Sequence, residues 1–321
     1  MTRLVSSLAM MAVVCATVSD AGAYVRTRSS KVGAPAAWPG GCVFVQPDLS
    51  GSPDLPADQV FATIQKSLNN WASTTAGCSY LKINYEQPAA VEAHYDGKNI
   101  IKFRTDKWCH PDDPQSHGVC YAPEAAAITS VYMIDDNDPR DGLILDADVE
   151  INNLNFTFAI VDPTVSVLPT PRTGTSLADL ENTLTHELGH LLGLSHTCLD
   201  SSGGKFDVDE TGAPPPACAT LNQLPAADRN KIAFATMYNF AQPGETRKRT
   251  PEADDVAGIC AAYPGPDTPS GKTCEHTDLS KYSRGCDTAP GGNLPDLHGV
   301  GAALAALWLM AMALWLRRRA H

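Results

Sequence analysis

The stretch from His186 to His196 constrains the fold most, because it has the spacing H-E-x-x-H-x-x-G-x-x-H. On a helix, positions four residues apart lie on one face, so His186 and His190 can present their imidazoles to one ion. Gly193 can adopt backbone angles closed to other residues, so the helix can end there and the chain can turn. That turn would bring His196 back as a third nitrogen ligand. Three protein ligands leave the fourth tetrahedral position to water, so the pattern predicts a catalytic zinc site.

Glu187 lies between two of these histidines and cannot be a ligand if both of them are. It is placed to take a proton from water and pass it to a leaving amine, so we expect it to act as a general base. The alternative is a carboxylate that only orients a histidine. A lone H-E-x-x-H can also occur by chance on a helix. Because Gly193 and His196 follow at the required offsets in a chain with nine histidines, the metal site is favoured.

The sequence before the motif predicts the helix that carries it. Ser176 with Asp179 three residues later is expected to cap its N-terminus, and no proline or glycine interrupts residues 177–187. Leucines recur at helical spacing and predict a buried stripe: Leu177, Leu180, Leu184, Leu188 and Leu191.

Upstream, runs of β-branched and aromatic residues predict strands at 43–46, 81–85, 100–104, 128–134, 144–151 and 156–161. A helix is predicted at about 56–75, and its buried face would hold Val60, Ile64, Leu68 and Trp71. Along 144–151, apolar residues alternate with Asp146, Asp148 and Glu150, with one slip near Leu145. This alternation predicts a strand with one face in solvent. The order of elements predicts a mixed α/β sheet followed by an irregular C-terminal part.

The N-terminus resembles a secretory signal peptide over residues 1–23. Arg3 supplies the positive start, residues 4–18 the apolar run, and residues 21–23 an A-x-A cleavage site before Tyr24. We therefore expect the chain to be exported.

The C-terminus predicts a membrane segment. Residues 299–316 form an uncharged and mostly apolar stretch of 18 residues, and three arginines follow at 317–319. A linker rich in proline and glycine at 264–298 contains Cys286 after Arg284 and Gly285. Together these features resemble the C-terminal sorting signal of myxobacterial surface proteins, called MYXO-CTERM. That resemblance implies that Cys286 marks the processing and anchoring point, at the cell surface of a bacterial envelope.

Residues 24–263 are then expected to form one domain. The formal net charge of −12 makes nucleic acid a poor partner. Of ten cysteines, Cys15 and Cys286 belong to the targeting segments, and the even number that is left suggests disulfides in an exported chain. The sequence does not determine the pairing; pairing neighbours gives Cys42–Cys78, Cys109–Cys120, Cys198–Cys218 and Cys260–Cys274. No C-x-x-C pair supports zinc binding by these cysteines instead.

Two further groups are weaker candidates. The acidic residues from Asp135 to Asp141 could hold calcium through oxygen ligands, although a solvated acidic turn explains them equally well. A second group could form a structural zinc site, but its spacing favours ordinary surface or loop residues: His94, His110, His117, Asp112 and Asp113.

The motif and the segments after it resemble the metzincin clan of zinc endopeptidases. Residues 235–238 are similar to its methionine turn, with Met237 expected beneath the zinc histidines. Thr197, directly after the third histidine, is similar to the Ser or Thr of matrixins. Asp254 and Asp255 begin a segment that resembles the start of the matrixin C-terminal helix. The resemblance implies an α+β fold: a twisted, mixed five-stranded sheet with an active-site helix and a smaller, irregular C-terminal subdomain.

The chain departs from the matrixin pattern in three places. Forty residues separate His196 from Met237, and this insertion carries Cys198 and Cys218, so substrate specificity cannot be carried over. The Pro-x-Tyr wall that matrixins place beside the first primed pocket is absent, and so is a cysteine-switch propeptide motif. Astacins use a tyrosine two residues after the methionine as an extra ligand, but that position is Asn239 here.

The sequence therefore predicts a secreted, surface-anchored, monomeric zinc endopeptidase that cleaves extracellular proteins or peptides. An extended substrate could pair with an exposed edge strand near 128–134. Two alternatives stay open. One is a non-catalytic adhesin or recognition domain on the same scaffold, although such a module has no need of Glu187. The other is a zinc hydrolase that acts on something other than peptides.

Overall fold

A computed structural model describes residues 24–30, 33–112, 118–135, 139–200, 204 and 206–282. The described residues through Leu279 form one compact unit, and the described residues 280–282 belong to a second. The fold is mixed α+β, with few helices, and this part of the sequence prediction is confirmed.

The strands are β1 Val25–Arg26, β2 Cys42–Pro47, β3 Lys82–Tyr85, β4 Asn99–Arg104, β5 Ala127–Met133, β6 Ile144–Asn152, β7 Phe156–Ala159, β8 Ser176–Asp179, β9 Leu194–Ser195 and β10 Val208–Asp209. The helices are α1 Ala57–Thr75, α2 Leu180–Leu191, α3 Ala226–Phe234 and α4 Ala253–Ala262. Short 3-10 turns lie at Cys218–Gln223, Arg247–Arg249 and Leu279–Lys281.

The main sheet has five strands in the order β3-β2-β4-β6-β5. The first four strands are parallel, and β5 pairs antiparallel with β6 at the edge. A helix connects β2 to β3, as a crossover between parallel strands requires. The mixed sheet and the edge position of the strand predicted at 128–134 are therefore confirmed.

The core forms where α1 and α2 meet the sheet. The apolar face predicted for α1 is confirmed, since Val60, Ile64, Leu68 and Trp71 are all at most 2% exposed. The Trp71 Nε1 group donates to the carbonyl oxygen of Thr185 at 2.8 Å. This hydrogen bond fixes the position of α1 along the axis of α2, the helix that carries the histidine motif.

The expectation that β6 has one face in solvent is wrong, because every residue of this strand is buried. Asp146, Asp148 and Glu150 are each 0% exposed. The loop at residues 96–97 and the side chains of Arg104, His110 and Tyr121 cover the acidic face. The slip near Leu145 is a real irregularity: Tyr132 pairs with Asp146 and Met133 with Ile144, so Leu145 bulges out of register.

The start of the motif-bearing helix also differs from the prediction. Ser176 does not cap it, because Ser176–Asp179 is strand β8, parallel to β7. The helix begins at Leu180, and Asp179 is its cap: Oδ1 accepts a hydrogen bond from Asn182 N at 2.8 Å. The backbone hydrogen bonds that β8 makes with β7 stabilise a strand at residues 176–179 more than capping by Ser176 would stabilise a longer helix.

The described residues contain four disulfides, and two of them join the neighbours that the sequence analysis paired: Cys109–Cys120 and Cys198–Cys218. The predicted pairs Cys42–Cys78 and Cys260–Cys274 are wrong, since the bonds are Cys42–Cys274 and Cys78–Cys260. Both bonds follow from the tertiary fold. Helix α4 packs on α1, which brings Cys260 to Cys78. The chain after α4 returns to the start of β2, where Gly41 N donates to Thr273 O at 2.8 Å.

The N-terminal strand β1 lies between β9 and β10 in a small antiparallel sheet. The buried guanidinium of Arg26 donates to the carbonyl oxygens of Ala36 and Gly193. The first described residues thus brace the turn that separates the second histidine from the third.

Several sequence predictions lie outside the described residues: the signal peptide, Cys286, the apolar segment at 299–316 with its arginines, the acidic residues 136–138, His117 and Asp113. Within the described ranges, no helix combines the length and the apolar character needed to cross a membrane.

Candidate metal centre

Helix α2 places His186 and His190 one turn apart on the same face. The helix also contacts β9 of the small sheet. Asp179 anchors the start of this helix, because it also accepts a hydrogen bond from Arg249 Nε at 2.8 Å. Trp38 anchors the end, where its Nε1 donates to Leu191 O at 2.9 Å. Both ends of the helix are therefore fixed to the surrounding fold.

Gly193 makes the turn after α2 with a φ of 96°. A side chain at this position would be strained, and its Cβ would lie 2.6 Å from the carbonyl oxygen of Ala36. The chain then runs through β9 and delivers His196 back toward the helix. The predicted role of the glycine matches its geometry.

The three histidines converge, as the motif predicts. Their available ligand atoms all lie within 4.8 Å of one another, and the Nε2 atoms of His186 and His196 are 3.3 Å apart. The group could hold a metal ion, and it is the one such group of three or more found within the described ranges. Nitrogen donors in this number suit zinc, but they also suit other transition metals.

Backbone carbonyls orient two of the three imidazoles. His186 Nδ1 donates to Thr236 O at 2.7 Å, and His190 Nδ1 donates to Leu194 O at 3.0 Å. Because a carbonyl only accepts, each Nδ1 carries the proton, and each Nε2 keeps a free lone pair. Such bonds to the second ring nitrogen are typical of metal-binding histidines.

The electrostatic surroundings keep the histidines neutral. Burial lowers the pKa of His190 to about 4 and that of His196 to about 3, and burial also lowers the pKa of His186 well below its usual value. The positive charge of Lys248 acts in the same direction on all three pKa values. Neutral imidazole is the form that binds a metal ion.

Glu187 lies beside this cluster, with its side chain buried. The hydroxyl of Thr129, in edge strand β5, lies 2.7 Å from Glu187 Oε2 and 3.1 Å from the Glu187 carbonyl oxygen. Burial raises the pKa of Glu187 to about 7. A carboxyl group with this pKa can both accept and return a proton near neutral pH.

Met237 is 1% exposed and packs against Gly189 of α2. Its Sδ packs so closely on Gly189 that a Cβ on that glycine would overlap the sulfur. Asp255 fixes the turn from the other side, because its carboxylate accepts hydrogen bonds from Thr236 N at 2.6 Å and Met237 N at 3.3 Å. The turn thereby presents the Thr236 carbonyl to His186.

Two residues of this region have little or no signal in the sequence. Asp255 belongs to a segment that is recognisable only by its similarity to matrixins, and Lys248 belongs to no motif. The Lys248 side chain is almost fully buried, and its Nζ donates to the carbonyl oxygens of Tyr238 and Phe240, the latter at 3.0 Å. Burial lowers the Lys248 pKa to about 8. A lysine in a charged stretch such as 247–249 gives no sign of burial in the sequence.

The weaker candidates do not form a second metal group within the described ranges. His110 is buried rather than on the surface, and its Nδ1 lies 2.6 Å from Glu150 Oε1. In the acidic loop, Asp135 accepts a hydrogen bond from Ser29 Oγ, and Asp141 from Ala34 N.

No protein-family model matches the chain, and no curated protein matches it.

Proposed function

We propose that the protein is a zinc endopeptidase of the metzincin clan, similar to matrixins. The observation that carries the proposal is the convergence of three neutral imidazoles beside a buried carboxyl group, Glu187. A purely structural zinc site would fill its fourth position with a further protein ligand, and no fourth His, Cys, Asp or Glu joins this group within the described ranges.

Features away from the histidines support the clan assignment. The parallel strands end in one antiparallel edge strand, β5, and the motif-bearing helix packs against it. A buried methionine lies under that helix, held by Asp255. These are the arrangements that the resemblance of the motif, the methionine turn and the C-terminal helix implies.

The residues have separate tasks in peptide hydrolysis. His186, His190 and His196 would hold the zinc ion, and Thr236 O and Leu194 O keep two of these rings in place. A zinc ion bound there would polarise a carbonyl group and lower the pKa of a water ligand to about 7. Glu187 accepts the water proton and later delivers it to the leaving amine, which its pKa near 7 permits.

The edge strand offers a place for the substrate. Among the strands that the structure describes, β5 pairs only with β6, and Thr129 on β5 contacts Glu187. An extended peptide that added itself to the free edge would pass beside the catalytic carboxyl group. This route favours unstructured segments of proteins as substrates.

The proposed location is outside the cell, at the surface of a bacterial envelope. Four disulfides support export, because such bonds form and persist in oxidising compartments. We propose that Cys286 and the apolar segment 299–316 anchor the protein. The acidic net charge of −12 favours protein partners over nucleic acid.

The test is cleavage of a peptide library by the exported chain from Tyr24, with and without chelator. The chain must retain Cys274, because ending it at Tyr263 would remove the partner of Cys42. Glu187→Gln is expected to lower kcat/KM by about 10²–10⁴-fold while metal content and fold persist. The exposed Glu210→Gln is the matched control and should be as active as the wild type.

Three results would contradict the proposal. An undiminished Glu187→Gln enzyme would exclude the general-base role. Peptide binding without any cleavage by the zinc-loaded chain would favour the adhesin. Hydrolysis of non-peptide esters or amides with no peptide cleavage would assign a different substrate class.

A further inference from the structure

Lys248 is a buried cation that the proposed mechanism does not use. The residue is only 3% exposed, although lysine is almost never buried unless it is paired. Its Nζ donates to the carbonyl oxygens of Tyr238 and Phe240, the latter at 3.0 Å. Both acceptors are neutral, so two of the three N–H groups of the ammonium are satisfied without an opposite charge. A buried charge with only neutral partners is costly and requires an explanation.

The carboxylates around Lys248 are engaged with other groups. Glu245 pairs with a neighbouring arginine at 3.1 Å, Asp255 accepts from the backbone of the methionine turn, and Glu187 accepts from a hydroxyl group of β5. Among the residues that the structure describes, no carboxylate lies within ion-pair distance of Lys248 Nζ. Burial lowers the pKa of Lys248 only to about 8, so its charge is present at neutral pH.

Lys248 joins α2 to the segment that follows Met237. Its backbone N donates to Asn182 Oδ1 at 2.8 Å. Asn182 lies four residues before His186, so the two share one face of α2. From there the Lys248 side chain extends to the carbonyl oxygens of the segment 238–240. The lysine therefore lines the space between the histidine-bearing face of the helix and this segment.

The ammonium group is within reach of a bound substrate. Phe240 is 52% exposed, so Nζ lies one hydrogen bond away from a residue at the surface. The charge of Lys248 also acts to lower the pKa values of Glu187 and of the three histidines, as a cation close to the metal centre must. A substrate side chain that entered beside Phe240 would therefore meet a positive charge.

The task of Glu187 indicates which residue of the substrate this would be. In the proposed mechanism Glu187 delivers a proton to the leaving amine, and that nitrogen belongs to the residue directly after the scissile bond. The side chain of this residue branches from the carbon atom next to the nitrogen. It would therefore lie beside Glu187, on the side of the metal centre that Lys248 lines.

We propose that Lys248 is a specificity-determining residue, which selects peptides with aspartate or glutamate directly after the scissile bond. The substrate carboxylate would supply the opposite charge that the fold leaves out, and it would accept the third N–H group of the ammonium. Such a charge-assisted hydrogen bond is stronger than a neutral one. The amide of Asn or Gln has nearly the same size but carries no charge to offset that of the lysine. The inference rests on the proposed endopeptidase activity.

The experiment compares peptides that differ only at the position after the scissile bond. The zinc-loaded, disulfide-bonded chain from Tyr24 receives a sequence that it cleaves in the library, with Glu, Gln, Leu or Lys at that position. We expect kcat/KM to be about ten-fold higher for the Glu peptide than for the Gln peptide. Lys248→Met should remove this difference, and Lys248→Arg should keep most of it, because arginine retains the charge. Lys82→Met makes the same change at an exposed position of β3 and should keep the full difference.

Two results would overturn the inference while the peptidase activity itself stands. One is a wild-type chain that cleaves the Leu peptide faster than the Glu peptide. The other is the same preference for Glu over Gln in the wild type and in Lys248→Met. If Lys248→Met fails to fold, Lys248→Gln makes the same test, because its amide can still donate to a carbonyl oxygen.

A binding measurement separates this inference from the proposed catalysis. Product peptides that begin with Glu or Gln are titrated into the zinc-loaded Glu187→Gln chain, with and without the additional change Lys248→Met. Tighter binding of the Glu peptide that depends on Lys248 would uphold the acidic preference even if the wild type cleaves no peptide. Equal Kd values for the two peptides in the chain that retains Lys248 would overturn it.

Discussion

The histidine cluster and the acidic row on β6, formed by Asp146, Asp148 and Glu150, are both buried groups of titratable side chains, but they are satisfied differently. In the histidine cluster, carbonyl oxygens of Thr236 and Leu194 fix the protons of two rings, and the free nitrogens all point to one place. In the acidic row, Glu150 has three partners, whereas Asp146 and Asp148 each keep an unbonded oxygen. The type of a residue therefore does not reveal whether all of its polar atoms find hydrogen-bond partners inside the protein.

The difference also shows where sequence motifs are informative. The histidine spacing belongs to one helix and one turn, so local geometry brings its residues together. The acidic row has the alternating pattern of a strand with one face in solvent. It is buried only because the loop at 96–97 and the side chains of Arg104, His110 and Tyr121 cover that face.

The largest expected effect comes from Gly189→Ala, which tests how tightly the histidine cluster is packed. The added methyl group would overlap Met237 Sδ, so α2 or the turn must move. We expect a loss of about 1–3 kcal/mol in the free energy of unfolding, with a large loss of the proposed peptidase activity. Denaturant titration and kcat/KM measure the two effects. A smaller residue in place of Met237, in the variant Gly189→Ala/Met237→Ala, should recover part of the activity; wild-type activity in Gly189→Ala alone would show that Met237 does not support the site.

A pH effect on stability tests the other region. The pKa values of Asp146 and Asp148 are raised in the folded protein, so the folded state holds protons that the unfolded chain releases. Stability should therefore fall as pH rises from about 4 to about 9 in zinc-containing, calcium-free buffer. The slope of the difference between wild type and Asp148→Asn should approach about 1.4 kcal/mol per pH unit, the value for one proton.

Glu150 contributes with the opposite sign. Its lowered pKa gives stability that is present above about pH 4 and is lost as the pH falls toward the folded pKa. The comparison with Asp148→Asn cancels this contribution because both chains contain Glu150. Parallel pH curves for the two chains would contradict the assignment of raised pKa values to the aspartate pair.

The smallest expected effect is that of Lys248→Met, which tests whether the buried lysine beside the histidine cluster shapes the substrate-binding surface. The ammonium group donates to the Tyr238 and Phe240 carbonyls, in the segment directly after Met237. Without it, we expect KM for peptides to rise about three- to ten-fold with a smaller change in kcat. Lys248→Arg should recover part of the loss. An equal fall of kcat and kcat/KM with unchanged KM would instead place Lys248 in the chemical step.

Much of the fold could be predicted where the pattern is local. The apolar face of α1 and the slip at Leu145 follow from side-chain periodicity, and strand β5 follows from its β-branched and aromatic residues. The predictions that were wrong depend on distant partners. Ser176 enters a ladder with β7 instead of capping α2, and Cys42 bonds Cys274 because the chain returns after α4.

The sequence by itself determined the residues that converge on one point, His186, His190 and His196, and the glycine that turns the chain between them. It could do so because a helix repeats every 3.6 residues and Gly193 alone permits the turn. Only the tertiary structure decided which buried groups have partners: the carbonyls behind the imidazoles, the lysine behind the turn and the unpaired oxygens of Asp146 and Asp148. Hydrogen-bond partners come from segments far apart in the chain, and the folded protein alone brings those segments together.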